Sequence, residues 1–580
     1  MRALCAAFFL CALAGPAWSR GYESLGTLER ESADAALAER GLVIEPAPDG
    51  KPIGHVHVVN HEVFSPKDGH FQVFNFFHRT TREGIIRREV LLQPGDAYDQ
   101  ELVEETVRNL RDVDFSSLVA ILPVKSDEPG RVDLLVVTRD VWSLRLNTDF
   151  DFQDGKLIYL TTSLSENNLF GWRKRFSFVY NFFRASYSLG PSYVDSNVLG
   201  TRLQFSASYR AIFTRGTNEK EGGTWGARLT YPLFSLASKW GASTGASWSD
   251  GVARAFDVNG IRPVDLESTA AVETLPHIYR VKSGNFDAQV TRSFPGAIIH
   301  RVSLGHRLST VRPSFTADFP SMNQVERDGF AREVFPRSER ISSLFLAYSV
   351  FVPNYRVYRD YNTFDLREDF YVGPQLSTSI SPAAGWLGSE VDHLDLSLGV
   401  GWSFDFFEGY QWIGAQWGGR VFDGRLTDQN RTFGLTLATP MLARAVRLVA
   451  EGGLRVLLDN TRRNVYLTAG AESGLRGYAI GEFGDLGSQA RLVTHFEARS
   501  APLAVGPFRL GSVAFVDAGH AAARFEDLRI FTDVGVGLRL LIPQLNYDVV
   551  RVDWAFALQQ GRFTQPGWPG RISAGFRQVF

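Results

Sequence analysis

From residue 141 to the C terminus, apolar and polar residues alternate along the chain with a period of two. In the stretch 550–558 the even positions are apolar and the odd positions are charged or small, and the stretch 203–210 alternates in the same way. Runs of about ten residues with this pattern are typical of a membrane-spanning β-barrel, whose strands turn apolar side chains to lipid and polar ones to a wet lumen. A soluble β-sandwich also alternates, but its strands are shorter and its inward residues are apolar.

The length of the alternating region sets the expected size of this barrel. Residues 141–580 comprise 440 positions. Outer-membrane barrels use about 25–28 residues for each strand with its connection, so we expect an all-β barrel of about 16 antiparallel strands.

Residues 53–140 predict a small α/β domain before the barrel. A short strand at 54–59 is followed by helical stretches at 81–90 and 99–111, and Asp99 is placed to cap the second helix. Two further strands, at 115–124 and 132–137, are joined by a turn-rich connection. The order is β-α-α-β-β, with a longer segment at 61–78 than such a domain needs.

The N-terminal residues predict an export signal and a connecting segment. Residues 1–19 combine a charged start, an apolar run too short to span a membrane and a small-x-small cleavage site, which together indicate a signal peptide. Cys5 and Cys11, the two cysteines of the chain, lie inside it, so the mature protein has no thiol for disulfides, metal binding or catalysis. Residues 20–52 predict a helix at 23–40 followed by a linker rich in proline.

Composition narrows the classes of function. The formal net charge is −2 and no basic tract occurs, which argues against nucleic-acid binding. Aromatic residues make up 13% of the chain and 54 residues are glycine, as a barrel with interfacial aromatic girdles requires. Neither metal-ligand spacing among the histidines nor a phosphate-binding loop is found, so we expect no metal or cofactor and no enzymatic activity.

One short stretch matches a catalytic motif by its letters alone. Residues 241–245 read G-A-S-T-G, the pattern of a nucleophile elbow with Ser243 as nucleophile. Such an elbow works only on a tight turn between a strand and a helix. Here the surrounding residues predict a strand, so a lipase is a remote alternative.

The candidate functional site lies in the last quarter of the chain. Leu475-Arg476-Gly477-Tyr478 occupies a connection between two predicted strands. The guanidinium of Arg476 offers five donors in a rigid fork and stays charged when buried. Gly477 beside it allows the backbone to turn tightly.

Strand parity identifies candidate acidic partners for Arg476. Glu497 shares one face of its strand with Arg499, and Asp517 shares a face with Phe515 and Gly519. A carboxylate on the lipid face would cost roughly 2–4 kcal/mol, so both faces are expected to point into the lumen. We therefore expect Arg476 to bind Asp517, with Glu497 as a further partner; the alternative is that these are unrelated loop and lumen charges.

The final strand, at 571–580, places Ile572, Phe576 and Phe580 on one face. In this order, the motif at 475–478, the segments around Glu497 and Asp517 and the terminal phenylalanine resemble the outer-membrane protein-assembly superfamily, which includes BamA, TamA and the two-partner secretion transporters. Residues 166–171, 195–202 and 533–540 resemble other barrel segments of these proteins. The resemblance implies that residues 53–140 are a single POTRA domain, that the Arg476 loop folds into the barrel, and that the last strand is an insertion signal.

The function implied by the resemblance is an insertase or translocase that assembles or transports polypeptides at the bacterial outer membrane. The POTRA domain would lie in the periplasm and capture an extended substrate by β-augmentation, and the first and last barrel strands would pair imperfectly. The implied partners are unfolded outer-membrane or secreted polypeptides, the lipid bilayer, and periplasmic chaperones or accessory lipoproteins. A lipid-handling or structural barrel is the alternative, and the helix at 23–40 is either a plug inside the barrel or a solvated linker.

Overall fold

The computed structural model describes residues 21–64, 66–111, 116–153, 156–257, 260–268, 274–463, 465–471, 474–479, 482–484, 488–543, 549–559 and 569–576. The predicted signal peptide and the terminal Phe580 lie outside these residues. Within the described ranges, no helix is both long and apolar enough to cross a membrane.

The N-terminal part is an α/β domain around a three-stranded sheet. Its elements are α1 (Thr27–Arg40), β1 (Ile53–His61), α2 (Glu83–Glu89), α3 (Gln100–Leu110), β2 (Ser116–Lys125) and β3 (Val132–Asp140), with 3-10 turns at Gly21–Ser24 and Pro66–Phe77. The strand order is β1-β3-β2, with β1 parallel and β2 antiparallel to β3. The carboxylate of Asp99 accepts the N–H groups of Glu101 and Leu102, which fixes the start of α3.

Both faces of this sheet are covered by helices. On one face, α2 and α3 bury Ile86, Val103 and Leu110 in a core with the strands. On the other face, Ala33 and Ala36 of α1 pack in a second core with strand residues. The N-terminal helix therefore lies on the α/β domain, and this position differs from both a plug and a solvated linker.

The outer edge of β2 is partly occupied by the chain itself. The N–H of Lys125 donates to Val43 O at 2.8 Å, and the N–H of Glu45 donates to Pro123 O at 3.0 Å. Since peptide groups alternate in direction along a strand, those of Val119 and Ile121 also point outward. No described segment pairs with β2 at these two residues, so this part of the edge is unpaired, and Val119 and Ile121 themselves are buried.

The following strands complete the described β structure: β4 (Leu144–Gln153), β5 (Lys156–Glu166), β6 (Lys174–Phe182), β7 (Ser186–Asp195), β8 (Gln204–Thr214), β9 (Lys220–Tyr231), β10 (Trp240–Arg254), β11 (Phe256–Asp257), β12 (Gly260–Ile261), β13 (Pro263–Val264), β14 (Leu275–Pro276), β15 (Ile278–Phe294), β16 (Ile299–Ser314), β17 (Glu339–Phe351), β18 (Tyr355–Arg359), β19 (Arg367–Tyr371), β20 (Gly373–Ala383), β21 (His393–Phe406), β22 (Gly409–Phe422), β23 (Arg425–Ala438), β24 (Val446–Leu458), β25 (Ala490–Ser500), β26 (Leu503–Val505), β27 (Phe508–Ala522), β28 (Phe531–Leu541), β29 (Val550–Ala557) and β30 (Arg571–Phe576). A further helix, α4 (Gln324–Glu333), precedes β17.

Twenty of these strands form a closed antiparallel barrel, which confirms the predicted barrel. The hairpins β11–β12, β13–β14 and β18–β19 lie outside the wall, and the short β26 flanks β27. The expected count of about 16 strands is wrong because the allowance of residues per strand was too large. Connections as short as Phe407-Glu408 and Asp423-Gly424, each with two positive φ angles, lower the average to 440/20, or about 22 residues.

The barrel has two ends that differ in what covers them. The near end, where the α/β domain sits, carries the connections 167–173, 196–203 and 232–239, which contact α2 and α3. For example, the N–H of Arg82 donates to Gly171 O at 3.0 Å, and the amide of Asn109 donates to Phe234 O at 3.0 Å. The far end is covered by a cap in which Phe330 of α4 packs with Leu266 and Leu275 of another connection.

The described part of the barrel closure is short. Among the described residues, β30 pairs with β4 through two residue pairs, Ser573 with Asp151 and Ala574 with Phe150. By contrast, β10 and β15 pair through fifteen residues each. The described parts of the first and last strands are thus joined by two residue pairs.

The β18–β19 hairpin, which we call the ribbon, reaches across the opening at the near end. On its side toward the α/β domain, Asp369 forms an ion pair with Arg111. Its tip, residues 360–366, extends to the wall near the C terminus, where Phe364 packs with Leu541 and Val549. The ribbon therefore joins the α/β domain to the inside of the barrel.

Candidate functional site

The connection between β24 and β25 begins at the far end and brings the predicted motif against the inner wall. Leu475 and Tyr478 are fully buried in a cluster with Phe483 and Val493. The hydroxyl of Tyr478 lies 3.1 Å from Thr532 O, beyond this cluster. These apolar contacts hold the turn that carries Arg476 between them.

Arg476 is held by two carboxylates of the inner wall. Its Nε and Nη2 donate to the two carboxylate oxygens of Asp517 at 2.7 and 2.8 Å, and its Nη1 donates to Glu497 Oε1 at 2.7 Å. The Arg476 side chain is 2% exposed, and that of Asp517 is 0% exposed. The guanidinium carbon also lies 3.4 Å from the centroid of the Phe515 ring. This is a bidentate, charge-assisted contact shielded from water.

The strands bring these side chains together through their alternation. In β25, His495, Glu497 and Arg499 are buried, whereas Phe496 between them is exposed on the outside. His495 Nδ1 lies 2.9 Å from Asp517 Oδ1, so a third polar group contacts the carboxylate that binds Arg476. The structure thus places Glu497 and Asp517 on the lumen face, which is the face that parity assigned to them.

Two glycines permit close approach at this site. A Cβ on Gly477 would lie 2.6 Å from the Cβ of Asp533, and the N–H of Gly477 donates to Asp533 Oδ2 at 2.9 Å. Gly477 therefore lets the loop backbone touch the wall, and it has no positive φ angle that would mark a tight turn. A Cβ on Gly519 would lie 2.3 Å from Leu492 O of the neighbouring strand.

Several polar contacts of the motif escaped sequence reasoning. Besides Asp533, Arg571 of the last strand donates from Nη1 to Arg476 O at 3.1 Å. Asp553 lies 3.5 Å from Arg476 Nη1 and accepts a hydrogen bond of 2.6 Å from Arg539. These residues occupy the inward positions of β28, β29 and β30, so strand parity could have identified them once the loop was placed against these strands.

Arg499 extends the cluster toward the near end. Its Nε donates to Glu497 Oε2 at 2.7 Å, and its Nη1 donates to Tyr361 O of the ribbon tip at 3.1 Å. Glu497 therefore accepts from Arg476 with one oxygen and from Arg499 with the other. The loop from the far end and the ribbon from the near end are linked through these side chains.

The predicted insertion signal is described only in part. Ile572 is exposed on the outside of β30, and Phe576 is the last residue of that strand. Phe580 lies outside the described residues. The inward neighbours in β30 include Arg571, which contacts the loop as given above.

Two arrangements bear on catalysis. Ser243 lies within β10, where it pairs with Gln289 on one side and Thr230 on the other, so the nucleophile elbow required for a lipase is not formed. His78 contacts Ser143 Oγ at 3.2 Å and Asp140 Oδ2 at 3.1 Å, which resembles a Ser-His-Asp arrangement. All three side chains are buried at the junction between the α/β domain and the barrel, so this cluster stabilises the junction. In the described part of the chain, no group of three His, Cys, Asp or Glu residues is arranged to hold a metal ion.

Comparison with known proteins gives one sequence relative and several solved structures. The chain is 27% identical over 253 residues to the outer membrane protein assembly factor BamA of Neorickettsia risticii, a match that covers 42% of this chain and 33% of that protein. The chain thus matches about a third of that relative's length. No protein-family profile matches the chain.

CdiB from Escherichia coli aligns with 98% of this chain and 92% of its own, at 10% identity and a TM-score of 0.44. BamA from Haemophilus ducreyi lacking POTRA domains 1-3 aligns with 90% of this chain and 85% of its own, at 13% identity and a TM-score of 0.38. At these TM-scores the structural alignments add nothing to the strand pairing described above. The sequence match to an assembly factor supports the resemblance to the outer-membrane protein-assembly superfamily.

Proposed function

We propose that this chain, which resembles the outer-membrane protein-assembly superfamily in sequence, is an outer-membrane insertase or translocase that handles polypeptides. The barrel lies in the outer membrane of a bacterium, and the α/β domain is a POTRA domain on its periplasmic side. Its substrates are unfolded outer-membrane or secreted polypeptides, delivered with the help of periplasmic chaperones or accessory lipoproteins.

The observation that carries this proposal is the short closure of the barrel. Among the described residues, two residue pairs join β30 to β4, whereas β10 and β15 in the middle of the wall pair through fifteen. Unpaired N–H and C=O groups are costly in lipid, so a strand edge freed at this seam would favour pairing with another strand. A polypeptide strand supplied from the periplasm can satisfy that edge.

The Arg476 loop acts as a lock beside this seam. Asp517 and Glu497 belong to strands near the C-terminal end of the wall, and Arg571 of β30 itself donates to the loop backbone. The loop thus contacts the strand that closes the barrel. Release of Arg476 would remove a contact that holds β30 in its place.

Substrate capture uses the unpaired part of the β2 edge, once the contacts that bury Val119 and Ile121 open. Val119 and Ile121 border a groove of about 560 Å³ between β2, α3 and the ribbon. An extended polypeptide entering this groove can pair with the outward peptide groups of β2, which gives affinity without reading much sequence. The segment Val43–Glu45 covers the other end of the same edge and limits the length that can pair.

Depletion of the protein, followed by quantitative proteomics of purified outer membranes, tests the proposed function. Loss of many unrelated barrels would indicate a general insertase, and loss of one or a few proteins would indicate a dedicated assembly or secretion factor. An unchanged protein profile would refute the proposal and favour a lipid-handling or structural barrel.

A further inference from the structure

Two connections at the near end share a sequence pattern, asparagine followed by two apolar residues and glycine, and a backbone conformation. Asn168-Leu169-Phe170-Gly171 joins β5 to β6, and Asn197-Val198-Leu199-Gly200 joins β7 to β8. In each, the third residue adopts a positive φ angle, 56° at Phe170 and 49° at Leu199, and glycine follows. The side chains at this third position are 70% and 95% exposed.

A large apolar side chain is unexpected at such a position. The left-handed conformation is disfavoured for residues other than glycine, asparagine and aspartate, and full exposure of leucine or phenylalanine to water is also unfavourable. The polar residues of the same turns face the α/β domain instead: Asn168 donates to Arg79 O, and Arg88 donates to Asn197 Oδ1, each at 2.8 Å. Each turn therefore binds the domain with its asparagine and presents its apolar residue to the surroundings.

The 3-10 segment Pro66–Phe77 of the α/β domain adds to this surface. Phe76 is 85% exposed, and Val73 and Phe74 are also exposed. The segment is held in place by Asn75, whose side chain forms hydrogen bonds with both the N–H and the C=O of Phe64 at 3.1 and 2.8 Å. From this fixed segment, Phe74 extends toward the barrel.

The apolar segment continues into the outer surface of the barrel. The ring of Phe74 packs edge-on against Trp142, with centroids 5.5 Å apart, and Trp142 lies two residues before β4, which begins with the exposed Leu144. Farther round the near end, Trp240 at the start of β10 is also exposed. Exposed aromatic residues at the ends of barrel strands form the girdle that meets the lipid interface.

We propose that Val73, Phe74, Phe76, Phe170 and Leu199 insert into the membrane leaflet at the near end and hold the α/β domain against the lipid. The occupant of this surface is phospholipid, because the surface is continuous with the outward apolar face of β4 rather than with the capture groove. The 3-10 segment lies beside β4, one of the two strands of the seam, so the lipid contact fixes the domain next to the closure. The inference requires a membrane-spanning barrel but does not require polypeptide handling.

The accessibility of spin labels measures the proposed lipid contact directly, in the full chain reconstituted into nanodiscs of phosphatidylethanolamine and phosphatidylglycerol. Labels are placed by Phe76→Cys and Leu199→Cys in a background with Cys5 and Cys11 replaced by serine. Glu128→Cys is the matched control, because Glu128 follows β2 at the end of the sheet away from the barrel. Strand β3 separates Glu128 from Asp140, and at roughly 3.3 Å per residue the two residues lie about 30 Å apart.

The ratio of collision rates with oxygen and with a water-soluble nickel chelate should be several-fold higher at 76 and 199 than at 128. Equal ratios at all three sites would overturn the proposal. Because the only other protein in a nanodisc is the scaffold belt around the edge of the bilayer, a high ratio reports lipid rather than a protein partner. Both substitutions are at exposed positions, and heat-modifiable migration of each variant on a gel checks that the barrel is folded. Equal ratios at the three sites, together with loss of outer-membrane proteins on depletion, would overturn the lipid contact and leave the proposed function intact.

Discussion

Replacing Arg476 by methionine should release the loop lock. Methionine keeps much of the side-chain volume but removes the three short hydrogen bonds to Asp517 and Glu497. Breaking one partner of a buried ion pair costs about 3–5 kcal/mol, because the remaining charges stay unpaired. The inward state of the loop should therefore lose this amount relative to an outward state in which water reaches both carboxylates.

The expected change in the loop equilibrium is on the order of a hundredfold to a few thousandfold, at about 1.4 kcal/mol for each factor of ten. Hydrogen exchange measures it directly when opening and closing are fast, because the exchange rate then follows the open population. The amide of Gly477 donates to Asp533 in the closed loop, so peptides covering residues 474–479 should lose protection by this factor. Reconstituted wild-type protein under the same conditions is the reference.

Arg463→Met is the matched control. Arg463 belongs to the same connection and forms no ion pair with another described residue, so its replacement should leave the exchange of the motif unchanged. Protection within threefold of wild type in Arg476→Met, with a folded barrel, would refute the lock. In that case the apolar burial of Leu475 and Tyr478 alone would hold the loop.

Three further predictions follow from the α/β domain, the ribbon and the cap. Ile121→Pro removes an outward N–H from the unpaired edge of β2 and should abolish photocrosslinking of substrate to this edge. The control Ile121→Ala shortens the side chain but keeps the N–H, so it should retain the crosslinking. Equal crosslinking in both variants would contradict capture at the edge. Phe364→Ala should loosen the packing of the ribbon tip by about 3–5 kcal/mol and raise the ion conductance of the barrel in planar bilayers. Phe407→Ala, at an exposed position, is the control. Unchanged conductance in Phe364→Ala would show that the ribbon does not limit the opening. Burial, with the charge of Arg262, lowers the pKa of His277 in the cap to about 4. Because the unfolded cap then binds the proton more readily, the cap should lose at most about 3 kcal/mol as pH falls from 6.5 to 4. His277→Phe should remove this pH dependence of hydrogen exchange in α4, and a dependence that survives the substitution would exclude His277 as its source.

The sequence was sufficient for the barrel and for the inward faces of two strands. The period-two pattern selected a barrel, and the cost of a carboxylate in lipid assigned Glu497 and Asp517 to the lumen side, where the structure places them. The number of strands was not accessible in the same way, because connection lengths vary from two residues to a long folded loop. An average taken from other barrels could not anticipate turns as short as Phe407-Glu408.

The ribbon and the N-terminal helix show a second limit. Residues 355–359 mix aromatic or aliphatic with charged side chains, as a wall strand does, and only long-range contacts such as Arg111 with Asp369 select a hairpin inside the opening. In α1, the residues that pack against the sheet include Ala33 and Ala36. Alanine is common on any helix surface, so its pattern did not distinguish packing on the domain from a plug or a solvated linker.

The shared position of Glu497 has a consequence for how the two ends of the barrel communicate. One carboxylate serves Arg476 of the far-end loop and, through Arg499, the near-end ribbon. An event that displaces the ribbon and weakens the contact between Glu497 and Arg499 also changes the affinity of Glu497 for Arg476. By thermodynamic reciprocity, the factor is the same in both directions. Under the proposed function, a polypeptide that displaces the ribbon at the near end therefore changes the hold on the Arg476 loop before it has crossed the membrane.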